Sequence, residues 1–79
     1  MKAIVTVGLK PGVLDVQGKA VANALQGLGF SGVADARVGK VIELELAGED
    51  RDSASAAVRE MCEKLLANTV IESYRIEIV

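Results

Sequence analysis

Hydrophobic and polar residues alternate from the start of the chain. Ala3, Val5, Val7 and Leu9 fall on one side of an extended backbone; Ile4, Thr6 and Gly8 fall on the other. That two-residue period, in a run rich in β-branched side chains, predicts a strand over 3–9. Gly8 marks a candidate bulge or close backbone approach. Pro11-Gly12 ends the strand, because proline offers no N–H to a ladder and Pro-Gly suits the centre of a type II turn. The period then changes. Val21, Ala24, Leu25 and Leu28 recur at helical spacing and predict a helix over about 16–28. Asp15 is its expected N-cap, and Gly29 its left-handed closing residue. Gly18 and Gly27 each cost roughly 0.5–1 kcal/mol against Ala inside a helix. Gly18, in the first turn, would let another backbone come close.

After Phe30 and a Ser31-Gly32 turn, residues 33–38 are expected to form a second strand, with Ala34, Ala36 and Val38 opposite Val33, Asp35 and Arg37. Gly39-Lys40 reads as a tight type II′ hairpin into a third strand over 41–47. There Ile42, Leu44 and Leu46 alternate with Val41, Glu43 and Glu45, giving one apolar face and one rich in carboxylates. The polar loop 48–53 precedes a second helix. Asp50, Asp52 and Ser53 all qualify as its cap, and the sequence does not choose among them. Ala54, Ala57, Val58, Met61, Leu65 and Leu66 share one side of that helix, while Glu60 and Lys64 form an i,i+4 pair. Asn68 suits a left-handed cap. A last strand over 72–79 points Tyr74, Ile76 and Ile78 inward and Arg75 and Glu77 outward.

The order βαββαβ in a single domain spanning 1–79 is an α+β, ferredoxin-like arrangement: a four-stranded antiparallel sheet with two helices on one face. The other face mixes charge with Ile and Val, as expected of a surface partly covered by another subunit. An unpaired edge strand offers a second route to association.

Composition narrows the function. Half of the residues are hydrophobic but only Phe30 and Tyr74 are aromatic, so one thin aliphatic core is expected, of the kind that oligomerisation often supports. Nine basic residues against eleven acidic ones, net −2, argue against nucleic acid. There is no histidine, which removes the usual metal ligand and general base. Cys62 is the sole cysteine and is expected in the core of a protein kept in a reducing compartment. No signal-peptide pattern or membrane-length apolar run is present, so no membrane association is expected and the expected location is cytoplasmic.

Each candidate chemistry has a plainer counterpart. The helix N-terminus at 16–18 could hold an anion, but Asp15 already occupies it. Glu43 and Glu45, at i,i+2 on one strand face, lack a third ligand and are expected to pair with Arg37, Arg75 or a neighbouring subunit. Arg37 and Lys40 bracket a turn that could grip an anion or simply be solvated. Cys62 has no base to activate it.

Four blocks carry a resemblance. Leu9-Lys10-x-Gly12-Val13-Leu14-Asp15-x-Gln17-Gly18, Leu28-Gly29-Phe30, Arg37-x-Gly39-Lys40, and Met61-Cys62-x-Lys64-Leu65-Leu66-Ala67-Asn68-x-Val70-Ile71-Glu72 resemble the PurS family. The likeness runs from Val5 to Ile78. Val16 and Thr69 stand where that family usually has proline, which affects local stiffness rather than chemistry. PurS is the small subunit of bacterial and archaeal phosphoribosylformylglycinamidine synthase, an early enzyme complex of purine synthesis. The resemblance implies a non-catalytic dimer that bridges a large synthetase subunit and a glutaminase subunit and supports ammonia transfer between them. It implies no catalytic, cofactor-binding or metal-binding residue on this chain; ATP and Mg are used by the complex. By the same analogy Lys10, Asp15 and Gln17 in the loop 10–18 are the foremost subunit contacts, with Arg37, Lys40 and Asn68 next.

The main competing reading is a dimeric regulatory module binding an amino acid or another metabolite, since βαββαβ domains often do so. A small acylphosphatase-like enzyme fits less well, because the first loop lacks an arginine for phosphate. A metal chaperone would need a Cys-x-x-Cys pair.

Overall fold

A computed structural model describes all of residues 1–79. Its elements in order are strand β1 (Lys2–Leu9), helix α1 (Val16–Gly27), strand β2 (Lys40–Glu45), helix α2 (Arg51–Met61) continuing into one π-helical turn (Cys62–Leu66), and strand β3 (Glu72–Ile78). The sheet is three-stranded and antiparallel, in the order β2-β1-β3. β1 is central: Val5 pairs with Ile42 on one side and Ile76 on the other.

Side-chain alternation sorts the two faces as expected. Ala3, Val5 and Val7 point inward and are fully buried, with Ile42, Leu44, Tyr74, Ile76 and Ile78 packed around them. α2 closes this face by inserting Val58 and Cys62, which with Ala67 complete the core. Cys62 is thus a core residue, and burial raises its thiol pKa. Asp50 is the cap that the sequence left open: its Oδ1 accepts the N–H groups of Asp52 (3.0 Å) and Ser53 (3.4 Å), and its Oδ2 the Ser53 hydroxyl at 2.9 Å. Glu60 and Lys64 pair at 2.6 Å. The π turn is marked by the Ala67 N–H donating to the Cys62 carbonyl.

The expected four-stranded sheet does not form, because residues 33–38 join no ladder. The Val38 N–H goes to the Asp15 carboxylate at 2.7 Å and the Ala36 N–H to its own neighbour Asp35 at 2.8 Å. Donors captured by side chains cannot serve a strand partner. The Gly39-Lys40 hairpin fails with the strand: only Gly29 and Gly48 have positive φ, whereas a type II′ turn would require it of Gly39. The same test corrects the first turn. The Val13 N–H donates to the Lys10 carbonyl at 2.9 Å across Pro11-Gly12, but Gly12 lacks the positive φ of a type II turn.

The helices do not share one sheet face either. α2 lies over β3, while α1 packs substantially on no strand and not on α2. The molecule is therefore drawn out to 49 × 24 × 14 Å, with a Cα radius of gyration of 15.9 Å; a compact chain of this length has about 12 Å. No helix is long and apolar enough to cross a membrane.

Candidate functional site

Three connections meet at one end of the sheet: the loop 10–15 leaving β1, the segment 33–39 entering β2, and the turn 68–71 entering β3. The Lys10 N–H donates to the Ile71 carbonyl at 2.9 Å, tying the first connection to the third. Two charged side chains tie the first to the second. Asp15 is buried at the start of α1, where it accepts the Gly18 N–H at 2.6 Å as an N-cap and the Val38 N–H with its other oxygen. These backbone donors, first Gly18 and then Val38, lower its pKa against the opposing effect of burial; the nearby Arg37 charge adds to the lowering. The Arg37 guanidinium reaches back to three carbonyls, Val13 and Lys10 at 3.0 Å each and Leu9 at 3.4 Å. One arginine thus satisfies acceptors that no regular structure serves.

Gly18 is the point of closest approach. A Cβ there would collide with the Ala36 carbonyl oxygen and the Asp15 carboxylate, so only glycine lets the segment cross the helix. Ala22 is buried on the same side, and Gln26 donates to the Val33 carbonyl at 2.7 Å. Segment 33–38 therefore runs along the face of α1 marked by Gly18, Ala22 and Gln26. At the far end Gly29 closes the helix as expected, with φ 99°. Gly29 donates to the Gln26 carbonyl and Phe30 to that of Leu25, the paired bonds of a Schellman motif.

The six residues expected to contact other subunits are gathered at this end but divide by role. Asp15 is buried against the backbone, and Arg37, though exposed, has its guanidinium folded back onto backbone carbonyls. Lys10, Gln17 and Lys40 are exposed, and Gln17 and Lys40 line one depression together with Asp15, Gly39 and Glu72. Asn68 is not a left-handed cap, since no non-glycine residue has positive φ. Its Oδ1 accepts the Val70 N–H at 3.2 Å, and its own N–H donates to the Glu72 carboxylate at 2.7 Å, forming a side-chain-closed turn. Glu43 pairs with Lys2 at 3.6 Å, not with either arginine expected for it.

The sequence reading missed how much apolar surface stays bare. Leu14, Val16, Leu28 and Phe30 are all more than half exposed, and Val21 and Leu25 of the predicted apolar stripe are only partly covered. The stripe exists but faces away from the segment that crosses the helix. On α2 and the π turn after it, Val58 of the predicted side and Cys62 turn inward, while Met61 and Leu65 of that predicted side are exposed. The available signal was apolar residues flanking the Asp15 cap on both sides, more than one helix face can bury. β3 adds one polar contact, the Tyr74 hydroxyl donating to the Glu63 carboxylate at 2.7 Å, which raises the Tyr74 pKa.

Known proteins share this fold. The family model for PurS, phosphoribosylformylglycinamidine (FGAM) synthase, matches residues 2–79. The phosphoribosylformylglycinamidine synthase subunit PurS of Bacillus subtilis is 53% identical over 77 residues, 98% of this chain and 90% of that protein. The subunit of the same name from Methanocaldococcus jannaschii is 42% identical over 77 residues, 98% of this chain and 93% of that one. The crystal structure of B. subtilis PurS superposes with a TM-score of 0.86 at 54% identity, covering 96% of this chain and 94% of that one. A chain of the structure of PurLQS from Thermotoga maritima superposes at 0.89 with 31% identity, covering 99% and 95%.

Proposed function

The chain belongs to the PurS family, and from that membership we propose that it is a non-catalytic subunit of phosphoribosylformylglycinamidine synthase in purine biosynthesis. It bridges the synthetase and glutaminase subunits as an oligomer of itself and supports ammonia transfer between them. ATP and Mg are held by its partners.

The observation that supports this reading is the end of the sheet where the three connections meet. Asp15, buried, and Arg37, at the surface, fix its backbone through hydrogen bonds. Rigid backbone lets the outward Lys10, Gln17 and Lys40 meet a protein partner without a further ordering cost. Exposed cations at such a rim steer association and set its salt dependence. Membership of a complex is in keeping with the structure of PurLQS from T. maritima, one of whose chains superposes on this one.

Reconstitution tests it. The chain, mixed with the synthetase and glutaminase subunits of its own cell, should co-elute with both and restore glutamine-dependent amidation. Lys10→Glu and Lys40→Glu together should weaken co-elution at least tenfold while far-UV circular dichroism stays unchanged. Undiminished assembly by that variant would remove this end of the sheet from the interface. Failure of the unmodified chain to bind either subunit would sink the subunit role itself.

A further inference from the structure

We propose that Leu14 and Val16 anchor this chain to a chain of a different kind, in an apolar pocket ringed by carboxylates. The inference rests on the subunit role proposed above. It adds the side chains that carry the contact and the chemistry of the surface that receives them.

Leu14 and Val16 are each 71% exposed, and they flank Asp15, which is buried. The cause is local. Asp15 has extended backbone, in which neighbouring side chains point to opposite sides. The N–H groups of Gly18 and Val38 hold its carboxylate inward, so the residues before and after it are held out. Val16 is no part of the apolar stripe of α1, because it stands about half a turn round the helix from Leu25.

A third apolar side chain is presented in the same way. Val70 is 80% exposed on the turn 68–71, where its N–H donates to the Asn68 side chain. The bond from the Lys10 N–H to the Ile71 carbonyl ties that turn to the loop carrying Leu14. Hydrogen bonds thus keep this backbone from folding over its own aliphatic side chains. Apolar anchors on preorganised backbone within a polar rim are the pattern of a binding surface.

The rim sets the charge of the partner. At this end the carboxylates are drawn onto backbone: Asp15 as above, Asp35 onto the Ala36 N–H and Glu72 onto the Asn68 N–H. Arg37 is likewise drawn onto carbonyls. Lys10, Lys19 and Lys40 are exposed, and none of them belongs to either ion pair of the chain, Lys2–Glu43 or Lys64–Glu60. Lys19 lines the hollow beside Leu14, and Lys40 the one beside Gln17. The charge offered outward is therefore positive, although the whole chain is net −2. Its complement is a carboxylate-rich protein surface. An anionic membrane shares that charge, but a membrane-surface element buries a whole apolar helix face, not side chains from a loop, a helix start and a turn.

Titration of the full chain against the synthetase and glutaminase subunits of the same cell, each taken separately, tests the assignment. Leu14→Ser/Val16→Ser should weaken binding to the receiving subunit roughly tenfold or more, equally at low and high salt. Its circular dichroism and sedimentation should match those of the unmodified chain, since both residues are exposed. Lys10→Gln/Lys19→Gln/Lys40→Gln should instead flatten the salt dependence of binding. Undiminished binding by the serine variant, or a salt dependence indifferent to the lysines, would overturn the anchor or its carboxylate ring. So would a serine variant that loses only self-association, or only binding to phosphatidylserine vesicles. An unmodified chain that binds neither subunit would overturn the subunit role and this assignment together, a result distinct from all of these.

Discussion

The carboxylate of Asp15 is hydrogen-bonded to the backbone N–H of Val38 at 2.7 Å, across a separation of 23 residues. The same carboxylate caps α1 through Gly18. One buried side chain therefore starts a helix and holds down the segment that would otherwise have been a strand. Because the donors favour the ionised form, its pKa lies below the usual 3.8. The sign follows from linkage: a lowered folded-state pKa adds stability that is complete above about pH 4–5 and is lost as pH falls through the folded value. Thermal melts between pH 7 and pH 2 should show that loss, and Asp15→Asn should flatten the acid limb while lowering stability at pH 7. An acid limb unchanged by the substitution would mean that Asp15 is not what the acid titrates.

Gly18 and Gly27 occupy the same helix but should respond oppositely to alanine. A Cβ at Gly18 meets the Ala36 carbonyl, while one at Gly27 meets nothing within 4 Å. Gly18→Ala should therefore cost about 1–3 kcal/mol through overpacking against backbone. Gly27→Ala should stabilise by about 0.5–1 kcal/mol, since alanine reduces the freedom of the unfolded chain. Urea unfolding of both variants checks the difference in sign.

Arg37 joins the loop 10–13 to the segment 33–39 through three carbonyl acceptors. Arg37→Ala leaves those acceptors to solvent and should loosen both stretches together. Amide hydrogen exchange should quicken roughly tenfold at Val13 and Val38 with little change in β1. Arg37→Lys should not restore protection, because one ammonium cannot span the three carbonyls as the planar fork does.

Val58, on the inner side of α2, is fully buried in one cluster with Ala3, Val5 and Val7 of the central strand. In so thin a core the loss of two methyl groups is felt: Val58→Ala should cost about 2–3 kcal/mol. That corresponds to roughly 10 °C or more in melting temperature for a domain of this size. Met61→Ala, three positions on and exposed, should cost far less in the monomer.

The alkaline limb has its own groups. Burial raises the Cys62 pKa above 9.0, and the hydrogen bond to Glu63 raises that of Tyr74 above 10.0. A raised folded-state pKa gives stability that is complete below the unfolded value and lost as pH rises through the folded one. Stability should therefore decline above about pH 9, and Tyr74→Phe should remove the part of the decline above pH 10. Melts at pH 7 to 11 would show it.

Where local chemistry is sufficient, the sequence was legible. The alternation of β1, the Asp15 cap, the Gly29 closure, the core position of Cys62 and the Glu60–Lys64 pair each depend on residues within a few positions of one another. The second strand was not legible, because Ala34, Ala36 and Val38 alternate well enough to be one. What removes it from the sheet is an aspartate 23 residues upstream. Asn68 was misread for a similar reason: its turn is closed by its own side chain together with Glu72, so it needs no left-handed backbone. The sequence expected the candidate contacts at turns, but Gln17 lies in the first turn of α1 and Lys40 opens β2. It did not show that Asp15 is buried and Arg37 spent on backbone carbonyls, while the Lys10, Gln17 and Lys40 side chains are exposed.

The sequence by itself determined both helices, three of the four expected strands, the face that each of those strands buries and the glycine at which a backbone must cross a helix. Period, propensity and capping are set within a few residues, so they can be read along the chain. Only the tertiary structure decided that the sheet has three strands, that α1 stands clear of it, and that one end gathers the three connections. Those outcomes turn on which distant donor reaches a given acceptor first, and a chain position alone does not encode that competition. The apolar stripe of α1 was written in the sequence; that no part of its own chain covers it was not.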